Sequence, residues 1–213
     1  MTLSRTLSGL CGLALLLGAA PAAAQDDEGL SFRPFVMVSQ QRFAAEQTFN
    51  AAFDTRSETF FGGGLNITQD NRFYLDVSAS HFSQTGQRAF LNNGQAFRVG
   101  IPLKVEMTPV EFTAGYRFLQ WRRVIPYLGA GAGLYKYKES SPFSTADENV
   151  DAHHAGAIFE GGVELRLHRW FGIGADVHYT YVPGILGSAG LSQQANEKDL
   201  GGIAARFRAV VGK

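Results

Sequence analysis

From residue 30 onward, apolar and polar side chains alternate with a period of two. The clearest run is Gly156–Val182, where Ala157, Phe159, Gly161, Val163, Leu165 and Leu167 form one set and Ile158, Glu160, Gly162, Glu164 and Arg166 the other. After His168-Arg169-Trp170 the pattern resumes, with Phe171, Ile173, Ala175, Val177, Tyr179 and Tyr181 set against Gly172, Gly174, Asp176, His178 and Thr180. A period of two means β-strands with unlike faces. Two such strands joined by a short turn form an antiparallel hairpin. Each run is about twice the common strand length of 5–6 residues. A strand that crosses a bilayer needs roughly 9–11 residues, so these are long enough.

The same pattern predicts strands over Leu30–Gln40, Glu58–Thr68, Arg72–Phe82, Val110–Phe118, Val124–Lys138 and Leu200–Val211. In the first, Pro34 cannot donate to a ladder and predicts a bulge. Ala96–Val105 has no clear register, and Pro102 and Pro109 interrupt that region. In Val124–Lys138 the parity is ambiguous; Leu128 to Leu134 are assigned outward, which turns Tyr127, Tyr135 and Tyr137 the other way. Short turns at Gln69–Asn71, Gln120–Arg123 and His168–Trp170 alternate with long polar loops at Phe43–Arg56, Ser83–Gln95, Glu139–Ala155 and Pro183–Lys198. One quiet rim and one elaborated rim predict an all-β, eight-stranded antiparallel up-and-down transmembrane β-barrel.

Composition places this barrel outside the cytoplasm. Arg5, the apolar run Leu7–Ala20 and the small residues Ala22-Ala23-Ala24 make residues 1–24 a signal peptide, leaving 25–213 as the barrel domain. The single cysteine, Cys11, lies in that leader, so the mature chain is expected to hold no disulfide, thiolate metal site or cysteine nucleophile. Lys+Arg and Asp+Glu both number 19, which gives no electrostatic case for nucleic-acid binding. The 25 glycines and 17 phenylalanines fall inside alternating runs, as suits a barrel.

Alternation alone does not say which face meets water. A soluble barrel of the lipocalin kind, with its apolar set inside, is the alternative to a membrane barrel. The polar set carries charges of both signs: Arg33, Asp76, Glu111, Arg117, Glu160, Glu164, Arg166, Asp176, His178, Arg206 and Arg208. An eight-stranded interior is filled by its side chains, and buried charges must pair. These residues are therefore assigned to an interior charge network, with Arg206 and Arg208 next to Asp176. The apolar set is assigned to lipid: Phe159, Val163, Leu165, Phe171, Ile173, Val177, Tyr179 and Phe207. Phe118, Trp121, Trp170 and Tyr181 near strand ends match interfacial girdles.

The segments Pro126-Tyr127-Leu128-Gly129-Ala130-Gly131-Ala132-Gly133 and Gly161-Gly162-Val163-Glu164-Leu165-Arg166 resemble the outer membrane β-barrel domain superfamily. That group includes the transmembrane domain of outer membrane protein A and opacity-type porin-like proteins. The resemblance covers the mature chain and implies a bacterial outer membrane location. It also implies contact with outer membrane lipids and lipopolysaccharide, and insertion by the barrel assembly machinery. Chains of this group often end in an aromatic residue; here Phe207 is the last, before Val210-Val211-Gly212-Lys213. The expected function is a non-enzymatic structural or surface-interaction role with a narrow or closed lumen and no cofactor. A narrow channel or a carrier of small apolar molecules is the alternative, and a lipid A-modifying enzyme a third. For that enzyme His178, Asp176, Ser78 and Ser80 would have to converge. The only His-X-Ser element is His81-Phe82-Ser83.

Overall fold

The computed structural model describes residues 29–92, 95–121, 123–142, 150–187 and 190–212. The expected leader, residues 1–24, lies outside them. The strands are β1 (Leu30–Phe43), β2 (Ser57–Gln69), β3 (Phe73–Asn92), β4 (Gln95–Arg117), β5 (Val124–Ser140), β6 (Val150–His168), β7 (Phe171–Tyr181) and β8 (Gly202–Val211). Two helices, α1 (Glu46–Phe53) and α2 (Gly190–Gln194), sit in the first and last long connections. Sequential neighbours pair antiparallel, and β8 returns to β1 from Phe35↔Val210 to Phe43↔Gly202, closing the barrel. Closure gives every central strand two hydrogen-bonded neighbours and leaves no open edge within the bilayer.

The period-two pattern translates directly into facing. Burial along β7 alternates residue by residue, with Asp176 and His178 inside and Val177 and Tyr179 outside. On β5, Leu128 and Leu134 point out while Tyr127, Tyr135 and Tyr137 are buried. A belt of large apolar residues therefore lies on the outer surface. In a soluble monomer such a belt would far exceed ordinary exposed patches; against lipid it is the required surface.

Four expectations are corrected. Ser83–Gln95 is mostly strand: β3 and β4 run on as a two-stranded ribbon beyond the point where β2 and β5 leave them. There most side chains are polar, and the ribbon's one packed face rests on α1 through Gly86 and Arg98, so no continuous apolar face marks its register. For a similar reason β6 begins at Val150 rather than Gly156. Phe43–Arg56 contains α1, which buries Phe49, Ala51 and Ala52. Pro34 makes no bulge. Its pairing with Leu65 continues in register, and it lies one residue outside the β1–β8 ladder, which starts at Phe35. Register shifts occur instead between Gln87 and Ala89 and between Arg166 and His168.

The interior has two zones. Towards the long-loop end, α1 and the β7–β8 connection cover an apolar cluster that includes Phe43, Phe49, Phe60, Phe82, Met107, Tyr135 and Leu200. Phe43 and Phe49 stack with ring centroids 3.7 Å apart. Towards the short-turn end the filling is charged.

Candidate functional site

The inward positions of β1, β3, β4, β6, β7 and β8 bring ten ionisable side chains into one buried network. Arg33, Asp76, Glu111, Arg117, Glu160, Glu164, Asp176, His178, Arg206 and Arg208 are each no more than 8% exposed. Four guanidinium groups face five carboxylates, and His178 lies between two of the latter.

Nearest the short turns, Glu164 is shared. Arg33 Nη2 reaches Glu164 Oε1 at 2.5 Å and Arg33 Nη1 reaches Oε2 at 3.1 Å, a two-pronged pairing. Arg117 Nη2 lies 3.0 Å from the same carboxylate. One layer up, Arg208 Nη1 donates to Asp76 Oδ2 at 2.7 Å, and its guanidinium lies 4.4 Å from the Tyr127 ring centre. Asn66 Nδ2 donates to the other Asp76 oxygen. Arg206 then bridges two strands. Its Nε donates to Asp176 Oδ1 at 2.7 Å and its Nη2 to Glu160. Tyr74 Oη donates to Glu160 Oε1 and Tyr135 Oη to Glu111 Oε1, both at 2.8 Å. His178 Nε2 is 3.2 Å from Glu111 Oε1, and Nδ1 is 3.6 Å from Glu160 Oε2. Charge-assisted and bidentate bonds of this kind are the strong ones at low local dielectric.

Arg166 stands apart from this network. It is half-buried at the inner mouth, beside the register shift that ends β6. Of the residues assigned to lipid, Phe159, Val163, Leu165, Ile173, Val177, Tyr179 and Phe207 are 36–60% exposed on the outer surface. Phe171 is half-buried and lines the inner mouth, because it opens β7 directly after the tight turn. Sequence reasoning did not count Asn66, Tyr74, Tyr127 and Tyr135 as network members. For Tyr74 a signal existed, since it shares the parity of Asp76 and Ser78.

The chemistry open to this cluster is restricted. Carboxylate and imidazole atoms of Glu160, Asp176 and His178 lie within 4.8 Å of one another, a grouping that could hold a cation. Arg206 already supplies that cation, bonded to both carboxylates. Among the described residues the two ring nitrogens of His178 face Glu111 and Glu160. His81 is exposed and bonds Thr108. A gap of about 10 Å³ beside Asp76, Asp176, Arg206 and Arg208 is the size of a single water.

At the long-loop end α1 is clamped at both of its ends. The N-terminal residue Ala45 gives α1 no side-chain cap. Instead, Glu197 accepts from Gln47 N and Thr48 N, both at 2.9 Å, and from Thr48 Oγ1 at 2.7 Å. At the other end Arg98 Nε donates to Ala51 O at 2.8 Å, and its guanidinium pairs with Asp54.

A family model for the outer membrane protein beta-barrel domain matches residues 10–203. Among solved structures, Neisserial surface protein A aligns with a TM-score of 0.54 at 15% identity, covering 87% of this chain and 98% of that one. The N-terminal barrel domain of Pseudomonas aeruginosa OprF aligns with a TM-score of 0.50 at 13% identity, covering 86% and 97%. Ail, the attachment invasion locus protein of Yersinia pestis, solved with the heparin analogue sucrose octasulfate, aligns with a TM-score of 0.50 at 15% identity, covering 87% and 97%. At these identities the likeness is one of fold. No curated protein sequence matches the chain.

Proposed function

Because the chain belongs to the outer membrane protein beta-barrel domain family, and so resides in the bacterial outer membrane among its lipids, we propose that it is a non-enzymatic barrel with a closed lumen. Its role is structural or surface-interacting, carried by the elements beyond the bilayer. One observation carries this proposal: Arg206 is tied to Asp176 on one strand and Glu160 on another, and the gap beside them is about 10 Å³. A hydrated ion would have to displace these pairs to pass. Above them the apolar cluster under α1 forms a second, dry barrier. The surface role is supported by the β3–β4 ribbon, where Phe90 and Phe97 stack in the open at 5.6 Å. Lipopolysaccharide would surround the outer rim, and the barrel assembly machinery would insert the chain.

Reconstitution into planar bilayers tests the closed lumen. The expected record is a flat baseline. Sustained current steps of defined size would replace the plug with a narrow channel. Mass spectrometry of lipid A from expressing cells tests the non-enzymatic part, with an unchanged profile expected.

A further inference from the structure

The inner mouth of the barrel is a basic vestibule of about 240 Å³, lined by Arg33, Asn71, Arg166, His168, Arg169 and Phe171 among others. It lies at the short-turn end, which in outer membrane barrels faces the periplasm. Among the described residues, three guanidinium groups line it and no carboxylate does. The layer directly above adds to the excess. Among the described residues its carboxylate is Glu164, which is divided between Arg33 and Arg117. Arg117 is 2% exposed, and its Nη1 has no hydrogen-bond partner. Arg166 and Arg169 form no ion pair among the described residues, so the vestibule holds uncommitted donors. The rim is amphipathic, because Trp170 is exposed beside Phe171 at a ring distance of 6.3 Å.

We propose that this vestibule binds a phosphate-bearing anion, held by Arg166 and Arg169 at its entrance and by the field of Arg33 and Arg117 behind them. Arginine suits the task because its planar fork presents paired donors to phosphate oxygens. The phosphate can belong to a phospholipid headgroup of the inner leaflet or to a free periplasmic phosphate; the recognition chemistry is the same.

The test uses the full mature chain in detergent micelles, with two phosphate probes. Inorganic phosphate is followed by phosphorus NMR line broadening. Phosphatidylglycerol retention is followed by native mass spectrometry, with diacylglycerol as the phosphate-free control. The variant Arg166→Gln/Arg169→Gln is compared with Arg42→Gln/Arg56→Gln, which removes the same charge at the opposite rim. Heat-modifiable gel mobility checks that each variant is folded. Binding of either phosphate probe, weakened roughly tenfold in the inner-rim variant and unchanged in the outer-rim variant, supports the site. Binding of inorganic phosphate marks a small-anion site, and binding of phosphatidylglycerol alone marks a headgroup site. The proposal is overturned if neither probe binds or if both variants weaken binding equally. It is also overturned if binding emerges only when Asp26, Asp27 and Glu28 are neutralised, since the chain's own acidic segment is then the occupant.

Discussion

The inward glycines set how large the other interior residues can be. On β5 the inward sequence runs Tyr127, Gly129, Gly131, Gly133, Tyr135. Tyr74 reaches across from β3 to Glu160, and a Cβ on Gly129 would stand 2.2 Å from its hydroxyl. On β7, Gly174 makes similar room, since a Cβ there would meet Arg208 Cγ at 2.9 Å. Large and small residues thus interlock across the lumen, and the glycines are sterically required by the polar network. Gly129→Ala should push Tyr74 off Glu160 and cost about 1–3 kcal/mol, the usual range for overpacking. Gly161→Ala is the matched control, because its Cβ would meet only the flexible Leu128 Cδ1 at 3.3 Å and Tyr127 O at an ordinary 3.8 Å. Urea unfolding in lipid vesicles measures both. Equal losses would show that steric room at Gly129 is not the determinant.

At the scale of elements, α1 is the part that depends most on distant residues. An eight-residue helix is too short to persist on its own propensity. It exists because Phe49, Ala51 and Ala52 bury over the barrel mouth and because Glu197, some 150 residues away, caps its free N–H groups. Glu197→Ala should therefore loosen α1 by about 1–2 kcal/mol, the worth of a good cap with its charge–dipole term. Hydrogen exchange should quicken over residues 46–53 while the β-strand amides keep their protection; an unchanged rate there would mean that burial alone holds the helix. The same dependence explains what was legible in the sequence. Strand number, parity and the inward placement of Asp176, Glu160 and Arg206 follow from period-two alternation, a local signal that lipid and lumen impose together. α1 gave no such signal, because its cap lies far along the chain and the window is short. The outer halves of β3 and β4 carry no alternation because beyond the bilayer their packed face rests on α1 through Gly86 and Arg98 rather than on a continuous apolar wall. The pairing pattern itself, such as Arg33 with Glu164 on β6, depends on barrel closure and stagger, which no single strand encodes.

For the molecule as a whole, the inverted arrangement of polar and apolar faces makes two opposite predictions about arginine. On the outer face a new arginine meets hydrocarbon. Val177 is 59% exposed in the middle of β7, and Val177→Arg should cost about 2–4 kcal/mol of insertion energy near the midplane. Refolding into vesicles, followed by heat-modifiable mobility, measures that loss; insertion at wild-type level would reverse the assigned facing. On the inner face an arginine is required. Arg206→Ala removes the cation between Asp176 and Glu160 and leaves Glu111, 3.7 Å from the lost Nη1, with His178 as its remaining basic partner. Breaking one side of a buried pair costs about 3–5 kcal/mol. The barrel should relieve that cost by admitting water and cations into the space the guanidinium held. The variant is thus expected to unfold at lower urea and to pass cation-selective current where the wild type is silent. If stability falls but the bilayer stays silent, the apolar cluster under α1 is a sufficient seal, and Glu197→Ala in the same chain should then open it.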